Sequence, residues 1–103
     1  MKFHHVGIPS ATPRDGEIYL EGARLFVTDV EASPYRIEWL RFEAGSTMPE
    51  QIQNSTHLAF EVDDLAAAMA GKTVLLEPFS PMEGVEVAFV ADGEAVIELM
   101  RRG

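Results

Sequence analysis

His57-Leu58-Ala59-Phe60-Glu61-Val62-Asp63-Asp64-Leu65 decides the fold of this 103-residue chain. From Thr56 to Val62 the run reads as a strand. Asp63 and Asp64 then offer two caps for a short alanine-rich helix, Leu65 to Ala70, that Gly71 ends. Their carboxylates also suit the positive start of a helix. Side chains alternate faces along a strand, so His57 shares a face with Ala59 while Leu58, Phe60 and Val62 turn toward the helix. The histidine therefore stands on the small-residue face, with room beside it for a ligand.

Downstream, Thr73 to Leu76 reads as a strand, Pro78 and Pro81 as punctuation of a loop, and Val85 to Ala91 as a further strand. Asp92-Gly93 then signals a hairpin into Ala95 to Met100. Upstream, Lys2 to Ile8 reads as a strand broken by Pro9, Pro13 and Gly16. Ile18 to Leu20 is a strand stub or a single helical turn. Arg24 to Val30 and Tyr35 to Phe42 form a hairpin. Residues 44–54 have turn composition without a period and are read as a linker between half-module 1–43 and half-module 55–103 of a single domain.

An internal repeat follows. His5-Val6-Gly7-Ile8 matches His57-Leu58-Ala59-Phe60, and Ile37-Glu38-Trp39-Leu40 matches Ile97-Glu98-Leu99-Met100. Each half begins with histidine and ends with glutamate, and the shorter first half lacks a counterpart of the Leu65 to Ala70 helix. By alternation His5 lies beside Gly7, Glu38 with Leu40 and Phe42, and Glu98 with Val96 and Met100. A carboxylate among apolar neighbours must pair, protonate or bind a metal, since an uncompensated buried charge costs at least several kcal/mol. If the halves pair by pseudo-twofold symmetry, His5, Glu38, His57 and Glu98 meet on one concave surface as two nitrogens and two oxygens. Such a set suits zinc, nickel, cobalt, manganese or ferrous iron.

The runs His5-Val6-Gly7-Ile8, His57 to Leu65 and Val96-Ile97-Glu98-Leu99 resemble the vicinal oxygen chelate superfamily, which holds glyoxalases, dioxygenases and metal-free drug-binding proteins. The resemblance implies an α+β fold of two tandem βαβββ-type modules, forming a curved mixed sheet around a pocket. The first module is shortened and lacks its usual helix. It further implies that His5, His57 and Glu98 occupy metal-ligand slots and Glu38 the fourth, and that Glu98 or Glu38 serves as general base.

Blander roles compete for several residues. Adjacent strand residues face opposite ways, so His4 is read as a surface histidine. Arg36 and Arg41 are candidates to draw Glu38 into a surface ion pair. Trp39, Phe42, Phe79, Met82 and Phe89 are read as core and rim. Glu61-Val62-Asp63-Asp64 is read as a helix start, since nothing near it has calcium-loop spacing.

Composition narrows the chemistry. The absence of cysteine excludes disulfides, thiolate nucleophiles and thiolate metal sites, and agrees with a reducing cytoplasm. Seventeen acidic against eight basic residues, a formal charge of −9, argue against nucleic acid or an anionic membrane as partner. No stretch approaches the roughly 20 apolar residues of a membrane span. The leading expectation is a metal-dependent isomerase or lyase acting on a small oxygen-chelating substrate. The alternatives are a metal-free small-molecule binding protein, a metal-dependent dioxygenase, and a regulatory domain without a small ligand. A homodimer is expected, because a short first half leaves sheet and pocket edges to cover.

Overall fold

The computed structural model describes all residues, 1–103. Its eight strands are β1 (Lys2–Pro9), β2 (Ile18–Leu20), β3 (Leu25–Val27), β4 (Ile37–Phe42), β5 (His57–Glu61), β6 (Thr73–Met82), β7 (Val85–Asp92) and β8 (Ala95–Arg102). Two short helices, α1 (Glu50–Gln53) and α2 (Leu65–Met69), and a 3₁₀ turn at Val30–Ala32 complete it. All strands join one mixed sheet in the order β2-β3-β4-β1-β5-β8-β7-β6. This is the expected pair of modules laid edge to edge. β1 runs parallel to β4, β5 parallel to β8, and the antiparallel β1–β5 ladder is the seam between them.

The register carries the symmetry down to single residues. Gly7 lies opposite Glu38 in one module and Ala59 opposite Glu98 in the other. Val27 opposite Leu40 is answered by Val87 opposite Met100. At the seam His5 faces Ala59 and Gly7 faces His57, so each histidine meets the small residue of the other module. Ile18 of one edge strand and Met82 of the other line the same cavity, so the sheet curls until its edges approach.

Alternation sets the two faces. Val87, Phe89, Val96 and Met100 turn inward, whereas Ala88, Val90 and Leu99 turn outward and are buried under Leu65 of α2. The Asp64 side chain accepts from the Ala67 N–H, which caps that helix. The first module has no helix at this place. There Trp39, the counterpart of Leu99, is covered by the Arg14 guanidinium, 3.8 Å from its ring centroid, and Phe26 by Arg41 at 4.1 Å.

Four readings of the sequence are corrected. β6 does not stop at Leu76 but continues through Pro78 and Pro81, with its register shifting on the way. Proline is tolerated there because β6 is an edge strand, whose outer N–H groups need no partner. The expected strand Arg24 to Val30 ends at Val27, where Asp29 accepts from Glu31 N–H and starts the 3₁₀ turn. The closing hairpin pairs Asp92 with Ala95, so its central residues are Gly93-Glu94, with Gly93 at φ +59°. The stretch read as linker contains α1, whose Ile52 is 1% exposed and packs with Ala59, Phe89 and Met100.

Candidate metal centre

Four side chains converge inside the curl. One donor atom each from His5, Glu38, His57 and Glu98 lies within 4.8 Å of every other. His57 Nε2 stands 3.0 Å from Glu98 Oε1, and His5 Nε2 stands 3.3 Å from Glu98 Oε1 and 3.4 Å from Glu38 Oε1. The sequence anticipated this grouping, and the fold explains it: β1 and β5 are the central strands, β4 and β8 flank them in parallel, and the register places each glutamate beside a histidine strand. Gly7 is part of the arrangement, because a Cβ there would collide with the His57 ring.

Arg36 and Arg41 do not compete for Glu38. Arg36 pairs with Glu31 at 3.0 Å and donates to the His4 carbonyl at 2.9 Å, while Arg41 pairs with Glu17 at 2.7 Å. Glu38 is left facing the centre, with its side chain 19% exposed against 11% for Glu98.

His4 is not the surface residue that strict alternation implies. The β1–β5 register shifts between Phe3 and His5, so β1 bulges at His4 and two successive side chains turn to one side. His4 is 7% exposed and its Nδ1 lies 2.8 Å from His5 Nδ1. The Arg102 guanidinium contacts His4 Nε2. No sequence signal marked His4, because a bulge changes the face of a residue without changing its neighbours in the chain.

Burial opposes charge on His5, but the carboxylates of Glu38 and Glu98 outweigh it and raise its pKa above the ordinary value. Burial likewise opposes charge on Glu98, and the two imidazoles outweigh it, holding that carboxyl well below the usual range. Burial, followed by His5 and Arg102, lowers His4.

The donor set fits a divalent cation. Adjacent ligands of an ion with bonds near 2.1 Å stand about 3.0 Å apart in octahedral and about 3.4 Å apart in tetrahedral geometry, a range that spans the 3.0, 3.3 and 3.4 Å of the three close pairs. His5 Nε2 is buried without a well-formed hydrogen bond, as is His57 Nδ1. A buried, under-satisfied nitrogen facing two carboxylates is an arrangement that an ion completes.

Around this cluster lies a cavity of about 360 Å³. Its walls are mainly apolar, with Leu25, Val27 and Leu40 from one module and Val85, Val87 and Met100 from the other. No helix is long and apolar enough to cross a membrane.

No family model matches the chain, and neither does any curated protein sequence. Solved structures do. A hypothetical protein from Bacillus halodurans C-125 superposes with a TM-score of 0.74 at 18% identity, covering 99% of this chain and 94% of that one. Methylmalonyl-CoA epimerase from Mycobacterium tuberculosis, a vicinal oxygen chelate superfamily member, superposes with a TM-score of 0.66 at 17% identity, covering 99% and 88%. At such identities a likeness speaks for the fold. Together with the mirrored modules, it establishes that this chain has the fold of the vicinal oxygen chelate superfamily.

Proposed function

We propose that the protein is a metal-dependent isomerase or lyase whose small substrate binds through two neighbouring oxygens and loses a proton from the carbon next to a carbonyl. The observation that carries this reading is the convergence of His5, Glu38, His57 and Glu98 in a buried cluster at an apolar cavity. These four residues would hold a divalent ion of the zinc, nickel, cobalt, manganese or iron class. When bound, such an ion supplies Lewis-acid stabilisation of a developing oxyanion.

The two carboxylates have different surroundings. Glu98 is fixed between His57 and His5, which makes it a poor proton acceptor and a good anchor. Glu38 has one imidazole contact, at 3.4 Å, and is the more exposed of the pair. Glu38 is therefore assigned as the general base. The proton passes from carbon to a Glu38 oxygen, and the C–H electron pair moves into the adjacent carbonyl. Return of the proton to the same or the neighbouring carbon completes an epimerisation or an isomerisation. The mainly apolar walls offer few polar groups to compete for that proton.

Elemental analysis of the purified protein beside His5→Ala and His57→Ala variants tests the reading. Stoichiometric metal in the wild type, lost in both variants, is the expected result. A metal-free wild type that still binds small molecules would replace it with the second reading, a binding protein, which the apolar cavity favours. A cytoplasmic setting is part of the proposal, supported by a chain without cysteine. So is a homodimer, supported by the open edges of β2 and β6. Light scattering on the purified protein checks the latter.

A further inference from the structure

The charges lining the cavity narrow its ligand. Outside the four-residue cluster and His4, the only charged side chains on its walls are Asp29, Glu31 and Arg102. Arg102 is the sole guanidinium or ammonium group among them, and it is already engaged by His4 and by Glu61 at 3.8 Å. Glu31 pairs with Arg36. One guanidinium, already shared between His4 and Glu61, is all that the walls offer a phosphate, and the chain's −9 charge repels polyanions at longer range. Each strand pair that supplies a glutamate also supplies aliphatic wall: Val27 and Leu40 in one module, Val87 and Met100 in the other.

We infer that the ligand has an apolar body, with two adjacent oxygens at one end and no phosphate or nucleotide. The oxygens lie toward the imidazole and carboxylate cluster, and the body lies between the mirrored aliphatic walls. The edge residue Ile18, which lines the cavity and is 53% exposed, meets that body at the β2 rim. This inference deepens the metal-dependent reading and rests on it for the oxygen end alone. It separates the chain from the coenzyme A thioester chemistry named for its structural neighbour, since a coenzyme A moiety brings several phosphate charges to walls whose single guanidinium is already paired.

The test is a series of hydroxamates, whose paired oxygens chelate, titrated calorimetrically into zinc-loaded protein. From acetohydroxamate through butanohydroxamate to hexanohydroxamate the affinity should rise about fourfold per methylene. Ile18→Asp, an exposed edge change, should flatten the rise, and coenzyme A should not displace hexanohydroxamate. A series that is flat in the wild type, or displacement by coenzyme A, overturns the inference. Hexanamide, with the same tail and no chelating head, is added to metal-free protein while methyl resonances of Val27 and Val87 are followed. Shifts there in a protein that takes up no zinc would sink the metal reading and leave the apolar body standing. Absence of shifts would overturn the apolar body itself.

Discussion

Gly7 and His57 face one another across the β1–β5 ladder, and the imidazole of His57 fills the space that a Cβ on Gly7 would need. The mirror-related pair is His5 and Ala59, where a methyl group is accommodated and is fully buried. The two histidines are therefore held differently: the His57 ring lies against bare backbone and cannot share that space with any side chain.

Gly7→Ala should displace the His57 ring, lowering zinc affinity about ten- to a hundredfold and stability by about 1–3 kcal/mol, as overpacking does. Chelator competition and urea denaturation measure the two effects. Unchanged zinc affinity in the folded variant would contradict the role given to Gly7.

His4→Phe keeps a ring in the buried place but removes the nitrogen that contacts His5 Nδ1. Loss of a partner that orients a ligating imidazole typically costs ten- to a hundredfold in metal affinity. The variant should show that loss while all four candidate ligands remain. Zinc binding at wild-type strength would return His4 to a packing role.

Acid should destabilise the metal-free protein through Glu98. Its folded pKa lies below the ordinary glutamate value of 4.5, so the stability from its charge is complete above 4.5 and drains away as pH falls through the folded value. Urea midpoints measured from about pH 6 to 3 should fall on acidification, and less steeply in Glu98→Gln. Equal slopes in the two proteins would rule Glu98 out as the source.

Ile52→Ala should cost about 2–5 kcal/mol, the usual range for emptying a buried aliphatic site. The side chain is 1% exposed within the core cluster of Phe89 and Met100. A loss under about 1 kcal/mol by urea denaturation would show that the connection between the halves is not part of the core.

Much of this was legible in the sequence because strands have a period of two. That period put His5 with Gly7 and His57 with Ala59, and repetition of the pattern brought Glu38 and Glu98 to equivalent places. What stayed hidden depends on departures from the period. His4 turns inward only because the ladder shifts beside it. Ile52 is one aliphatic residue in a polar stretch, and a single residue makes no pattern. Pro78 and Pro81 read as breaks because nothing local says that β6 lies at an edge. Arg14 over Trp39 joins residues whose pairing depends on a helix that is missing.

The seam between β1 and β5 also fixes when, during synthesis, this protein acquires its centre. His5 leaves the ribosome 93 residues ahead of Glu98, yet they end 3.3 Å apart. A nascent chain still lacking β8 holds at most three of the four donors, so an ion held by all four would report that β8 has docked.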